Sequence, residues 1–335
     1  MKKRILASLL CAVMVLGLSA CGKPAASSGS VSGDISGDVS TPAPEKLANV
    51  MALSGPTGVG MSKMMTDKAD TYNFTVVADN SEVGAALTKG EVDIACIATN
   101  VAANLYNKTN SLTVLAANTL GVLYILDKDA SVTDAASLRG KTIFATGQGA
   151  NPEFVLDRLL TENGLDPDKD VDIQWMTAQE VTAKMVQSTD GVCMLPVPAA
   201  TALMLKDSTV REAINISAAW DEISESPLVM GCVVVRNTFL QEHPEVVEQF
   251  LTDYEASINY MNDPANLTVA AELAAAHGIT ANAAIAAKAI PQCNLAFING
   301  SQMRDAIQGY YEILFEADPA SIGGGIPDDA FYYIP

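Results

Sequence analysis

Two short loops hold the residues best able to contact a small molecule. Ser54 ends the apolar run "NVMALS" and Gly55, Pro56 and Thr57 follow it; Thr146 ends "KTIFAT" and Gly147-Gln148-Gly149-Ala150-Asn151-Pro152 follows. Each loop lies between a strand-like run and a helix-like segment, with proline marking the helix start. Such a loop aims backbone N–H groups at whatever sits before the helix; the plainer alternative is that its glycines only make a tight turn. Nucleotide phosphate fits poorly, because Pro152 stands where a dinucleotide fingerprint needs its third glycine. Covalent catalysis also lacks its parts. The two histidines, His243 before Pro244 and His277 before Gly278, mark a helix start and a helix end. No Ser-x-x-Lys or Gly-x-Ser-x-Gly nucleophile occurs. No Cys-x-x-Cys or Cys/His spacing suggests a metal, and Cys96, Cys193, Cys232 and Cys293 sit in apolar contexts that read as small buried hydrophobes. No metal or cofactor is expected.

The ends of the chain restrict where such loops could work. Lys2, Lys3 and Arg4 precede an apolar run from Ile5 to Leu18, then Ser19, Ala20 and Cys21. This reads as an export signal over residues 1–20, too short for a membrane span, which needs roughly 20 apolar residues. Leu18-Ser19-Ala20-Cys21 resembles a bacterial lipobox, which makes Cys21 the lipidated first residue of the mature chain. Residues 21–45 carry Ser, Gly, Ala, Asp and Pro and cannot bury enough apolar surface to order themselves. They read as a flexible tether. The formal net charge is −19, and loss of the leader leaves 17 basic against 39 acidic residues. That balance excludes nucleic acid and an electrostatic hold on anionic lipid.

The elements that must position the loops repeat one plan. From Lys46 onward, strand-like and helix-like segments alternate, which points to α/β layers with mostly parallel strands. The plan runs once over "NVMALS", "NFTVVAD" and "EVDIACIA", with Ser81 as a plausible helix cap after the second of these. It runs again over "KTIFAT", "DVDIQWM" and "GVCMLPV". First and later strands are separated by 41 residues in one half (Met51 to Val92) and 49 in the other (Ile143 to Val192). Two lobes of like construction should therefore present strand C-termini and helix N-termini to a shared cleft. "ANTLGVLYILDKD" reads as a strand leaving the first lobe, a hinge near Leu120-Gly121 and a strand entering the second. The chain returns through "SPLVMGCVVVRNTF", after which only helices are expected. Lobe 1 is expected over 46–120 plus 232–335, and lobe 2 over 121–231.

The lipobox, the tether, "MALSGPTGVGMSKMM", "LTKGEVDIACIATN", "NTLGVLYILDKD", "SLRGKTIFATGQGANPEFVLDRLL" and "VVVRNTFLQEHPEVVEQFL" together resemble solute-binding lipoproteins of ABC importers. The resemblance is to the nitrate/sulfonate/taurine-type family and covers nearly all of 46–335. It implies a two-lobed type II periplasmic-binding-protein fold, two α/β lobes joined by two crossover strands with the ligand cleft between them. It implies a monomeric protein outside the membrane, held there only by its lipid, that captures a small organic solute. The partners would be an ABC permease and its cytoplasmic ATPase; the tether suits a Gram-positive surface, with a Gram-negative periplasm as the alternative. No reaction is implied. A ligand-presenting surface sensor, or an enzyme of pyrimidine-precursor type on the same fold, are the alternatives.

Carried over by position, the contacts are Ser54, Gly55, Pro56, Thr57, Thr99, Asn100, Asn118 and Thr119 from the first half. The second half gives Gly147, Gln148, Gly149, Asn151, Glu153, Pro196 and Val197, with Trp220 as a wall; Trp175 reads as packing. This set is polar and holds no Lys or Arg, although arginine forks suit carboxylate, sulfonate and phosphate. Helix N-termini could still hold one negative charge, and Glu153 could accept from an amine. A neutral, amine-bearing or pyrimidine-type solute therefore stands beside an anion.

Overall fold

The computed structural model describes residues 46–335. The expected leader, Cys21 and the tether lie outside the described residues. The chain first builds β1 (Ala48–Leu53), α1 (Pro56–Val59), α2 (Ser62–Asp67), β2 (Tyr72–Val77), α3 (Asn80–Lys89), β3 (Ile94–Ala98), α4 (Thr99–Thr109) and β4 (Leu112–Thr119). It continues with β5 (Leu123–Asp127), β6 (Thr142–Ala145), α5 (Asn151–Glu162), β7 (Asp172–Trp175), α6 (Ala178–Gln187), β8 (Val192–Pro196), α7 (Ala199–Lys206), β9 (Arg211–Asn215) and α8 (Ile216–Ile223). It closes with β10 (Gly231–Arg236), α9 (Asn237–Glu242), α10 (Pro244–Asn262), α11 (Leu267–Ala276), α12 (Ala283–Ala289), β11 (Leu295–Asn299) and α13 (Gly300–Ala317).

Two sheets result. The first has the order β11-β4-β10-β3-β1-β2 and the second β7-β6-β8-β5-β9. In the first, β1 pairs in parallel with β2 and β3. In the second, β6 pairs in parallel with β7 and β8. The internal similarity of the sequence is thus realised as the same three-strand unit. Beside each unit runs an antiparallel strand that has just crossed from the other sheet. β10 lies against β3, with Val233 opposite Cys96, and β5 lies against β8, with Ile125 opposite Met194. The α/β two-lobed architecture expected from the sequence is the one observed.

Local sequence accounts for the element ends. Asp79 caps α3 and accepts the Ser81 N–H at 2.7 Å, while Gly90, left-handed at φ 74°, stops the helix. The cap is therefore Asp79 rather than the expected Ser81. Thr177 and Glu180 form a reciprocal capping box at α6. Helices cover both faces of the sheets, so central strands are buried on both sides: all eight residues of β4 are buried. Cys96, Cys193, Cys232 and Cys293 are free and fully buried among apolar neighbours. One expectation is corrected. The segment after Phe239 is not helical throughout, because Leu295–Asn299 adds β11 to the edge of the first sheet. Phe297 and Ile298, only half-buried, are short of the apolar run that marks a central strand.

Candidate functional site

The carboxyl ends of β1, β3, β6 and β8 converge on one cavity of about 410 Å³. Its floor comes from the crossovers, through Val122, Leu123 and Met230. From the first lobe's loop it receives Ser54, Pro56 and Thr57, and from the second lobe's loop Thr146, Gly147, Ala150, Asn151 and Pro152. Pro196 ends β8 beside them. The expected residues Ser54, Pro56, Thr57, Gly147, Asn151 and Pro196 are therefore brought together.

Ten expected residues do not line this cavity, and each has a physical reason. Gly55 takes φ +93° and spends its N–H on the Ile279 carbonyl at 2.8 Å. Thr99 and Asn100 are fully buried at the start of α4; the Asn100 amide points to the Ser321 carbonyl, 3.4 Å away. Asn118 is buried behind the first loop and donates to the Thr57 carbonyl (3.1 Å) and the Tyr254 hydroxyl (2.9 Å). Thr119 in turn donates to the Asn118 side-chain oxygen at 3.1 Å. These two hold the loop from behind. Val197 is buried, its N–H donating to the Val122 carbonyl. Trp220 is not a cleft wall. It is 1 % exposed, donates to the Ser226 carbonyl and meets the Tyr310 ring edge-on at 5.8 Å.

The rest of the second loop turns outward. Gln148 is exposed. Gly149 donates its N–H to the Glu153 carboxylate, so that acid satisfies its own loop and does not face the cleft. Gly149 and Glu153 instead line a separate groove of about 680 Å³ with Phe154, Asp157 and Arg158 of α5 and Glu316 and Asp318 near the end of α13.

Two polar residues escaped the sequence reading: Asp79 and Asn80 line the cavity, as does Thr146 of the second loop. Asp79 and Asn80 follow the carboxyl end of β2 directly, and that position was the available signal. Asn80 accepts the Ala98 N–H at 2.8 Å, tying the β2 edge to β3. The Ser81 N–H holds the Asp79 carboxyl below the usual carboxylate range, so it is charged at neutral pH. Asp79 is the one charged residue lining the cavity, and no aromatic ring lines it among the described residues.

Neither histidine joins this site. The His277 ring meets the Thr66 hydroxyl at 2.7 Å, and His243 packs against Phe239. Among the described residues no cluster of His, Cys, Asp or Glu could hold a metal ion. No helix among them is long and apolar enough to cross a membrane.

Residues 64–285 match the family model described as ABC transporter, phosphonate, periplasmic substrate-binding protein. Solved structures share the fold. An ABC transporter protein from Parabacteroides distasonis superimposes with a TM-score of 0.72 at 22% identity, over 87% of this chain and 99% of that one. The periplasmic aliphatic sulphonate binding protein SsuA from Escherichia coli gives 0.70 at 13% identity, over 86% and 92%. The periplasmic nitrate-binding protein NrtA from Synechocystis PCC 6803 gives 0.55 at 16% identity, over 70% and 66%. No curated protein matches the sequence.

Proposed function

The chain belongs to the phosphonate-type family of periplasmic substrate-binding proteins of ABC transporters, and from that premise we propose that its interlobe cavity captures a small organic phosphonate or sulfonate that also carries an amine. As a member of this family the protein is a substrate-binding component of an importer rather than an enzyme. The observation that carries the finer reading is the cavity's polar lining. The hydroxyl-bearing residues Ser54, Thr57 and Thr146 come from both lobes and line the same cavity as the first residues of α5, with Asp79 as the only charged lining residue. A tetrahedral oxyanion offers three oxygens to such neutral donors. The partial positive charge of the twelve-residue α5 favours it there. Asp79 then supplies the acceptor for an ammonium group. The burial of Trp220 removes the stacking partner a pyrimidine-type solute would use.

The wider assignment follows the same family. We assign lobe 1 to 46–120 plus 232–335 and lobe 2 to 121–231. The protein works as an extracytoplasmic monomer, tethered through a lipid on Cys21 to a Gram-positive membrane surface, and delivers its solute to a permease driven by a cytoplasmic ATPase. Replacing Cys21 by serine should move the protein from the membrane to the soluble fraction.

A thermal-shift panel on the full-length chain tests the solute. 2-Aminoethylphosphonate should raise the unfolding midpoint, since a ligand that binds only the folded state stabilises it by mass action. Methylphosphonate and taurine should give smaller shifts, and ethylamine none. A shift with ethylamine or a pyrimidine, and none with the acids, would refute the reading.

A further inference from the structure

At the edge of the cavity lies a chain of hydrogen bonds made between residues of the protein itself. Its centre is the main-chain carbonyl of Met230, on the returning crossover and on the cavity floor. That one oxygen accepts the Asn151 side-chain N–H at 2.9 Å and the Thr99 backbone N–H at 3.2 Å. Asn151 begins α5 in the second lobe, and Thr99 begins α4 in the first. The far side of each is held by a neighbouring tyrosine of α13. Tyr310 donates its hydroxyl to the Asn151 side-chain oxygen at 3.2 Å, and Tyr311 donates to the Thr99 carbonyl at 2.7 Å. Adjacent helical positions diverge by about 100°, which lets one residue reach across the seam while the next reaches into its own lobe.

The tyrosines have no freedom to do otherwise. Both are fully buried. The Tyr310 ring is set by Trp220, and Tyr311 packs near Phe331. α13 is drawn close by Gly309, where an added Cβ would lie 2.3 Å from the Ser226 hydroxyl. Buried hydroxyls of this kind must be paired, so a change in the angle between the lobes breaks a bond with no water to replace it.

We propose that Tyr310 and Tyr311 form a yoke: two positioning residues on α13 that hold the cleft-edge starts of α5 and α4 against the Met230 carbonyl, and so set the width at which the cavity receives its solute. The proposal rests on the interlobe cavity being the solute site. Neither tyrosine lines the cavity; each acts through a residue at its edge.

The test removes one hydroxyl at a time, as Tyr310→Phe and Tyr311→Phe in the full-length chain, leaving both rings in place. Peptide-resolved hydrogen exchange is read first. Tyr310→Phe should speed exchange over 151–156 by about three- to tenfold, the scale of one lost internal hydrogen bond, and leave 99–106 unchanged. Tyr311→Phe should do the reverse. Affinity for 2-aminoethylphosphonate should fall by a similar factor in both, and by less than twofold in Tyr333→Phe, a half-buried tyrosine outside the circuit. Unchanged exchange in a variant's own segment overturns the yoke. So does the expected exchange with unchanged affinity, which reduces both hydroxyls to structural fasteners. If the wild type binds no probe at all, the solute reading fails, and the exchange pattern alone then decides whether the two tyrosines hold the two segments.

Discussion

Single residues decide how the two loops are shaped. Gly147 takes φ +96°, and a Cβ there would lie 2.5 Å from the Pro152 ring. Gly149 has φ +73° but open space around it. Gly147→Ala should therefore cost of order 1–3 kcal/mol and abolish solute binding, while Gly149→Ala costs about 1 kcal/mol and leaves binding nearly intact; denaturant melts and calorimetry separate the two. Asp157, half-buried in the outer groove, has its carboxyl pushed up to about 6 by burial, with the Glu153 and Asp168 charges adding to it. A carboxyl raised in the folded state binds more protons there than when unfolded. Stability is therefore lost as pH rises from about 4 through 6. Asp157→Asn should raise the melting temperature at pH 7.5 and leave it unchanged at pH 3.5; after solvent screening the gain is below about 1 kcal/mol. An equal effect at both pH values would remove the titration from the explanation. The sequence placed Ser54, Thr57, Gly147 and Asn151 at the cavity but not the direction of every neighbour. Asn100, Asn118 and Thr119 also stand at strand and helix ends, yet their side chains satisfy backbone carbonyls or each other in the core. Strands covered on both faces carry no alternation from which to read that difference.

At the scale of elements, the repeat is what sequence could show. The order β2-β1-β3 and the order β7-β6-β8 are the same unit, and their glycine loops land on one cavity because each follows the first strand of its unit. Elements outside the repeat were harder to read. β11 is an edge strand of five residues, only partly buried, and lies between α12 and α13 in chain order. No strand is expected there from the sequence, because short, half-exposed runs carry little periodicity. α13 was legible as a helix but not as the partner of both lobes. That role depends on Tyr310 and Gly309 meeting Asn151 and Ser226, contacts that span 159 and 83 positions of sequence. Asn118 illustrates how an element is aimed: its amide fixes the Thr57 carbonyl from behind. Asn118→Ala leaves that carbonyl without its side-chain donor and the Tyr254 hydroxyl with only the Cys96 sulfur, 3.8 Å away, so a loss of about 1–3 kcal/mol is expected, with solute affinity falling alongside.

For the whole body from 46 to 335, the crossovers are the only covalent links between the sheets, and both form part of the cavity floor. The outgoing link is stapled by Asn294, which accepts the Leu120 N–H at 3.0 Å and donates to the Gly121 carbonyl. The return link carries Met230, the node of the tyrosine circuit. On the proposed reading, solute capture and lobe position would meet at the same few atoms, as domain closure around a ligand requires. Acidic charge belongs to this scale too: it is spread over the surface, while the cavity keeps a single carboxylate. The central claim is that one solute is held by hydroxyls from both lobes at once. Isothermal titration of 2-aminoethylphosphonate into the full-length chain, its Ser54→Ala variant and its Thr146→Val variant tests it directly. Each hydroxyl bonded to a charged oxygen is worth about 1.5–3 kcal/mol, so each variant should bind roughly tenfold or more weakly at unchanged one-to-one stoichiometry. Wild-type affinity in either variant would contradict the account, because the solute would then be held by one lobe alone or elsewhere.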